Sequence, residues 1–293
     1  LGQTPQNDFN CIYDDLNHNW SAIPDPSLVH FSISPHLNHR HIPESTFARY
    51  RFFDVFLKGE GTFPKRPELS VNLKTSNGIP IATVTPHDVE QVKKVQIYYS
   101  INPHSLTRFW RSASTAKHGN NWVAHLPILS TDMPLFVMAN LEYPQPRRLV
   151  GSKYTGKAPS NFLVSTWAEI IDPLALKEAG VKAIDRPDRI IERSFENWED
   201  WYQIGWGNNQ HAVAGTRKLT DPKWRGPDGA VLSIEVKDPQ GGNFLMGFYV
   251  NNWSAYLGLP KSGYYCVKPL AKTKDWQTVT IHLSDLKPRS SGI

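Results

Sequence analysis

The N-terminal part of the chain is organised around the segment Leu28-Val29-His30-Phe31-Ser32-Ile33-Ser34-Pro35-His36-Leu37-Asn38-His39-Arg40-His41. Its first half is a short run of β-forming residues, and its second half is a polar turn that carries three histidines. The residues that follow carry apolar side chains with the period of one helix face, at Ala48, Phe52, Val55 and Phe56. Gly59 and Gly61 predict the end of that helix. The sequence therefore predicts a strand, a histidine-bearing turn and a helix in succession.

An acidic residue precedes this strand. Asp8 lies in the segment Asn7-Asp8-Phe9, near the start of the chain. An acid after one strand, a histidine after the next and then a closing helix is the order of the last two members of a Ser…Asp…His triad. The chain has no Gly-x-Ser-x-Gly motif, which would carry the nucleophile. The pattern therefore predicts a triad acid and base without their serine.

These pieces, together with Phe52-Phe53-Asp54-Val55-Phe56-Leu57-Lys58-Gly59, resemble the C-terminal part of secreted bacterial α/β-hydrolases. The PhoPQ-activated-protein and acetyl-xylan-esterase-like groups are the most similar, and the resemblance covers about residues 1–61 closely. It implies that Asp8 is the triad acid. Comparison with a Pro-His turn selects His36 as the base, whereas comparison with a Pro-Asn-x-x-His turn selects His39. We favour His39, because it lies deeper in the loop before the helix.

The resemblance also implies a context for the chain. The sequence begins at Leu1 and lacks a nucleophile motif, so we expect a C-terminal fragment of a serine ester hydrolase, inactive alone, whose parent acts on an acylated polysaccharide. The family implies a secreted or periplasmic location. No apolar stretch approaches the roughly 20 residues of a membrane helix, and Lys and Arg are scattered despite a net charge of +5. We therefore expect neither a membrane nor a nucleic-acid partner.

The rest of the chain is predicted to be mainly β. The 10 Trp, 11 Tyr, 13 Phe, 23 Pro and 19 Gly favour sheets and turns over long helices. The strands predicted in this region include Glu68–Lys74, Lys94–Ile101 and Leu135–Tyr143, which are short, alternating and separated by turn residues. The stretch Val95–Ser100 resembles a central strand of fibronectin type III or Ig-like sandwiches, and the segment 276–286 resembles the last strand of jelly-roll carbohydrate-binding modules. The predicted organisation is a hydrolase remnant at 1–61, a fibronectin III/Ig-like β sandwich at 62–168, a linker at 169–188 and a jelly-roll domain at 189–293.

The last domain is rich in tryptophan. Flat aromatic rings can stack on the C–H faces of sugars, with polar side chains beside them. The candidate carbohydrate-binding residues are Trp201, Trp206, Trp224, Trp253 and Arg217. The alternative interpretation is that most of these tryptophans belong to the core. A non-catalytic carbohydrate-binding protein is therefore the second functional hypothesis, with a polysaccharide or acylated sugar as its ligand.

Metal binding is a weaker interpretation of the histidine turn. His36, His39 and His41 could converge on zinc with Asp14 or Asp15, but no matching Cys or second His pair follows at zinc-site spacing. The hydrolase order explains the same residues without a metal. We therefore expect no metal and no cofactor.

Overall fold

The computed structural model describes residues 1–8, 11–37, 41–145, 159–193, 200–203, 214–249 and 263–288. This part of the chain is mainly β, with 36% strand and 17% helix, which confirms the β-rich fold class. The helices are α1 Tyr13–Ser21, α2 Pro43–Lys58 and α3 Pro173–Glu178. The strands are β1 Gly2–Pro5, β2 Phe31–Ser34, β3 Glu68–Asn72, β4 Ile81–Thr85, β5 Lys94–Ser100, β6 Arg111–Ala113, β7 Thr115–His118, β8 Asn121–His125, β9 Leu135–Pro144, β10 Asn161–Ser165, β11 Glu169–Ile171, β12 Tyr202–Gln203, β13 Ala214–Gly215, β14 Leu232–Val236, β15 Gly242–Tyr249, β16 Gly263–Leu270, β17 Gln277–Ile281 and β18 Lys287–Pro288. None of the described helices has the length and apolar character needed to cross a membrane.

A seven-stranded mixed sheet organises the first part of the chain. Its order is β1-β2-β10-β9-β5-β6, and β11 also pairs with β9. β1 and β2 are parallel, whereas β10 joins β2 in the antiparallel sense, with Ser165 opposite Phe31. One continuous sheet thus contains strands of the segments 1–61 and 62–168, which the sequence analysis assigned to separate domains.

A four-stranded sheet, in the order β3-β4-β8-β7, packs against one face of the seven-stranded sheet. Alternate residues of its strands, including Ala82, Val84 and Ala124, share a core with Ile97 of β5 and Val137 of β9. Because side chains alternate across a strand, each sheet sends one set of residues into this core and the other set away from it. The result is a two-layer β sandwich.

Helices cover both faces of the seven-stranded sheet. Phe47 of α2 packs into the core shared with the four-stranded sheet. Tyr13 of α1 belongs to a second core on the opposite face, together with Phe31, Ile33 and Met138. Parallel strands are usually covered on both faces. Here Phe31 and Ile33 of β2 belong to the core on the α1 side, whereas the hydroxyl of Ser32 donates to that of Ser45 of α2 at 3.0 Å. Helix α1 therefore covers one face of the β1–β2 pair, and α2 covers the other.

The buried face of α2 differs from the predicted stripe. Ala48 is buried as expected, but Phe56 is 50% exposed, and the buried residues include Arg51 and Asp54. Arg51 is buried because its guanidinium donates to the carbonyls of Glu60 and Thr62. The helix ends at Lys58, where Gly59 adopts a left-handed conformation with φ 72°. The predicted end of the helix is therefore confirmed, although its buried face is rotated.

The chain divides into two compact units, Leu1–Arg225 and Gly226–Ile293. Within the second unit, a two-stranded sheet (β14-β17) and a three-stranded sheet (β15-β16-β18) are present. Their shared core contains Cys266, Val279 and Ile281. The second unit begins at Gly226, 37 residues after the start of the predicted jelly-roll segment at 189, so the described residues between 189 and 225 belong to the first unit.

Candidate functional site

Two loops leave the same edge of the seven-stranded sheet. β1 and β2 are parallel with Pro5 opposite Ser34, so their carboxyl ends coincide. The N–H of Gln6 donates to the carbonyl of Ser34 at 3.0 Å, and the N–H of Asn7 donates to the carbonyl of Leu37 at 3.1 Å. The acid loop (residues 6–8) and the histidine turn (residues 35–37) therefore lie side by side. Asp8 and His36 thus occupy adjacent loops at one sheet edge.

The acid loop is anchored by Asn7. This side chain is fully buried, and its amide nitrogen donates to the carbonyls of Ser105 and Arg108, both at 2.8 Å. Asp8 is also buried, with 6% of its surface exposed. The residue before the predicted triad acid therefore fixes that acid's loop to the segment 105–108.

Arg108 is a buried cation beside this anchor. Its guanidinium forms two hydrogen bonds with the carboxylate of Asp14, at 2.7 and 2.8 Å, and its Nε donates to the carbonyl of Asn102 at 2.7 Å. The same group lies 3.5 Å from the ring centre of Phe136. A guanidinium can donate two parallel hydrogen bonds to the two oxygens of one carboxylate, which makes this a strong type of ion pair. Arg108 thereby ties α1 to the loop that receives Asn7.

The histidine turn is held tightly at His36. The backbone of His36 has φ 57°, and no other described residue except glycine has a positive φ. Its N–H donates to Oε1 of Gln6 at 2.9 Å, and its carbonyl accepts a 2.6 Å hydrogen bond from Nη1 of Arg217. Its ring stacks on Phe109 with centroids 5.4 Å apart and planes at 28°, and contacts the edge of Tyr98. The imidazole is therefore fixed in position by contacts on several sides.

The surroundings of His36 keep its imidazole neutral. Burial is the main cause, and the nearby cations Arg217 and Lys218 add to it; together they lower the pKa of His36 to about 3. A general base in a triad must accept a proton and be stabilised as the imidazolium. This environment opposes that charge. His36 is thus better suited to a fixed structural position than to proton transfer.

Residues 214–225, which we call the docked segment, bring further charges to the same region. Arg111 of β6 binds Asp221 through two hydrogen bonds, at 2.9 and 2.5 Å, and both side chains are buried. Arg111 also donates to Asp185 at 2.7 Å, and Lys223 binds the other oxygen of that carboxylate at 2.6 Å. Each of these charges has a partner of opposite sign, as buried charges require.

Lys218 is a buried cation of the docked segment itself. Its ammonium group lies 2.9 Å from carboxylate oxygens of both Glu192 and Asp200 and donates to the carbonyl of Ile191 at 2.9 Å. The hydrogen bond from Lys218 helps to hold the pKa of Glu192 below its usual value, against the opposing effect of burial. The indole N–H of Trp201 donates to the same Glu192 carboxylate at 3.1 Å. The docked segment is thus fixed by ion pairs as well as by packing.

Three of the predicted carbohydrate-binding residues lie in this region of the first unit. Trp201 is half-buried against Glu192. Trp224 is half-buried, meets Phe109 edge to face at 5.1 Å and has the cations of Arg111 and Lys218 over its ring. Arg217 holds the carbonyl of His36. The remaining predicted residues, His39, Trp206 and Trp253, lie outside the described residues.

Several residues of this region were missed by the sequence analysis. Gln6, Phe109, Lys218 and Asp221 carry no motif, and their role follows from contacts between segments more than 25 residues apart in sequence. Asn7 is the exception, because it stands in the Asn-Asp dipeptide that marked Asp8. Among these residues, only Asn7 could therefore be identified from a sequence motif.

The structure also bears on the metal hypothesis for the histidine turn. Asp14 is engaged by Arg108, and His41 is exposed, with Nδ1 3.5 Å from the hydroxyl of Ser34. Among the described residues, no group of three or more His, Cys, Asp or Glu side chains could hold a metal ion. These side chains therefore offer no support for a zinc site in this part of the chain.

A separate concavity of about 450 Å³ lies where β6 continues into β7. Its lining combines apolar residues with hydroxyl and imidazole groups, namely those of Tyr99, Ser112, Ser114, His118 and His125. None of the predicted site residues lines it. It is therefore distinct from the edge that carries Asp8 and His36.

Comparison with known proteins gives no relative for this chain. No protein-family model, no curated protein and no solved structure matches it. A function for the chain must therefore be argued from its own residues.

Proposed function

We propose that this chain supplies the acid and the base of a serine ester hydrolase of α/β-hydrolase type, with an acylated polysaccharide as substrate class. The observation that carries the proposal is the parallel pair β1–β2. Its two carboxyl ends place the acid loop and the histidine turn side by side. In a triad, the carboxylate orients the imidazole, and the imidazole takes the proton of the attacking serine. Asp8 precedes His36 and His39 along the chain, which is the order of the triad acid and base in α/β-hydrolases.

The base assigned in this proposal is His39, with His36 as the alternative. The low pKa and enclosed ring of His36 support a structural role for that residue. The proposed cycle begins when the serine oxygen attacks the ester carbonyl and the histidine accepts the hydroxyl proton. The histidine then returns a proton to the leaving alcohol, and water releases the acyl group by the same two steps. The serine must come from outside these 293 residues, because they contain no Gly-x-Ser-x-Gly motif.

We also propose a domain type for each part of the chain. The unit β1–α1–β2–α2 corresponds to the end of an α/β-hydrolase domain, since helices cover both faces of a parallel strand pair. The antiparallel strands β3–β10 correspond to a fibronectin III/Ig-like sandwich, and the second unit to a jelly-roll module. A secreted or periplasmic location is part of the same proposal. Carbohydrate recognition by the C-terminal half would bring the ester-bearing polymer to the enzyme.

The decisive experiment compares this chain with the full-length gene product. The 293-residue chain alone should not hydrolyse p-nitrophenyl acetate above a heat-treated control. In the full-length protein, Asp8→Asn should lower kcat by about 10⁴-fold, as in other serine hydrolases whose triad carboxylate is removed. The exposed His118→Ala serves as the matched control and should leave kcat unchanged.

Two further variants decide which histidine is the base. We expect His39→Ala to abolish turnover of acetylated xylan and p-nitrophenyl acetate alike. His36→Asn keeps a residue type that tolerates a positive φ, so it separates loss of the ring from loss of the turn. Full activity of Asp8→Asn, or steady turnover by the isolated chain, would contradict the proposal.

A further inference from the structure

His36 adopts a backbone conformation that L-residues rarely use. Its φ of 57° is the only positive value among the described residues other than glycine. Such a conformation is uncommon for residues other than glycine, although histidine adopts it more often than most. It persists where the surrounding structure holds it, and residues of this kind cluster at active sites and ligand-binding sites. The contacts that enforce it here therefore show which parts of the molecule control the histidine turn.

Two side chains hold the backbone of His36 from opposite sides. Gln6 of the acid loop accepts the His36 N–H at 2.9 Å. Arg217 donates to the His36 carbonyl at 2.6 Å, and its Nε also donates to the carbonyl of Leu106 at 3.3 Å. A guanidinium presents several donors in a fixed plane, so one side chain can bridge two loops. Arg217 thus links the histidine turn to the loop that also receives Asn7.

The docked segment that carries Arg217 is itself firmly attached to the first unit. Asp221 is paired with the buried Arg111, and the hydroxyl of Thr220 donates to the carbonyl of Thr107 at 2.6 Å. Trp224 meets Phe109, and Phe109 in turn stacks on the His36 ring. The segment therefore supports both the carbonyl and the ring of His36.

We infer that Arg217 is a positioning residue, which holds the histidine turn against the acid loop from a segment 181 residues further along the chain. This inference rests on the proposed function, in which the turn leads to the catalytic base. In this proposal the docked segment borders the candidate active site. Arg217 acts through the backbone of His36 and need not touch substrate.

The first test uses the 293-residue chain and needs no activity. Hydrogen–deuterium exchange is compared between wild type, Arg217→Met and Arg225→Met, since Arg225 is an exposed arginine at the end of the same segment. Loss of a charge-assisted hydrogen bond should speed exchange in peptides covering residues 33–37 by about tenfold or more. Arg225→Met should not change it. If Arg217→Met does not fold, Arg217→Lys, which keeps a donor and a positive charge, replaces it and should give a smaller increase.

The second test uses the full-length protein. Arg217→Met should lower kcat with KM nearly unchanged, and Arg217→Lys should restore part of kcat, because a positioning residue acts on the reacting geometry. Unchanged exchange at 33–37 would overturn the inference whatever the function proves to be. Faster exchange with full kcat, in a protein that Asp8→Asn inactivates, would overturn it as well. A wild-type protein without esterase activity would instead refute the proposed function, while the exchange result would still decide whether Arg217 holds the turn.

Discussion

Arg111 and Asp221 form a bidentate ion pair, with hydrogen bonds of 2.9 and 2.5 Å, although 110 residues separate them in sequence. Both side chains are nearly inaccessible, at 5% and 0% exposure. Although burial opposes the effect, hydrogen bonding and the charge of Asp221 raise the pKa of the Arg111 guanidinium, so Arg111 stays charged. The docked segment is therefore attached to the seven-stranded sheet by a buried ion pair, and Arg111 also donates a hydrogen bond to Asp185.

We predict that Asp221→Asn destabilises the protein by about 3 kcal/mol, because breaking a buried pair is costly and Arg111 then keeps only Asp185, a carboxylate that it shares with Lys223. The matched control is Asp132→Asn. Asp132 pairs with Lys177 at 2.6 Å, but the two side chains are 77% and 52% exposed, and such pairs contribute less than about 1 kcal/mol. Urea unfolding followed by tryptophan fluorescence measures both. If both substitutions lower the free energy of unfolding by the same amount, the buried Arg111–Asp221 pair stabilises the protein no more than an exposed ion pair does.

A second prediction concerns where the chain can be cut. A protein ending at Arg225 keeps Lys218 and Asp221, whereas one ending at residue 188 removes both and leaves Arg111 with Asp185 alone. We expect residues 1–225 to fold cooperatively and residues 1–188 to aggregate or unfold. Circular dichroism and size-exclusion chromatography distinguish them. A stable, monomeric 1–188 would mean that the boundary predicted from the sequence is the correct one.

A third prediction concerns the dependence of stability on pH. Burial is the first cause that lowers the pKa of His36, to about 3, and of His30, to about 4. Both values lie below the ordinary 6.5, so the unfolded chain takes up protons before the folded chain does. The contribution of these two neutral histidines to the free energy of unfolding is complete above about pH 6.5. It is lost as the pH falls towards their pKa values in the folded state, by about 1.4 kcal/mol per pH unit for each histidine.

The measurement is the free energy of unfolding in urea between pH 7.5 and pH 5. His36→Asn should remove one histidine's share of this slope, because asparagine does not titrate and tolerates a positive φ. Asn120→Ala, at an exposed position without a titrating group, is the control and should leave the slope as it is. A slope that is identical in wild type and His36→Asn would show that His36 is protonated equally in both states.

Local sequence patterns predicted the strands of the sandwich well. The predicted segments Glu68–Lys74, Lys94–Ile101 and Leu135–Tyr143 correspond to β3, β5 and β9, within two residues at each end. Alternation and turn residues are local signals, so they survive without knowledge of the fold. By contrast, α1 was missed, because Tyr13–Ser21 has only a short apolar face between polar residues.

The assembly of these elements was much less visible in the sequence. Nothing local indicates that Ser165 of β10 pairs with Phe31 of β2, since this contact joins segments 134 residues apart. Likewise, Lys218 and Asp221 resemble ordinary surface charges until Glu192 and Arg111 are placed beside them. Order along the chain marked Asp8 and His36, whereas the contacts that hold them depend on tertiary structure.

The last prediction tests the anchor of the acid loop. Asn7 uses its amide group as a donor to two carbonyls, those of Ser105 and Arg108. Asn7→Asp keeps the shape of the side chain but removes both donors and places a carboxylate against carbonyl oxygens at a fully buried position. We expect a loss of at least about 2–3 kcal/mol in the free energy of unfolding, together with faster hydrogen–deuterium exchange at residues 2–8.

Asn77→Asp is the matched control for this substitution. Asn77 is exposed, and its Oδ1 accepts hydrogen bonds from the N–H of Ile79 and the hydroxyl of Thr75. A carboxylate accepts in the same way, so the same chemical change should alter stability by less than about 0.5 kcal/mol there. Both variants are compared by urea unfolding at pH 7. If Asn7→Asp proves as mild as the control, the acid loop is held by its backbone bonds to Ser34 and Leu37, and Asn7 is not its anchor.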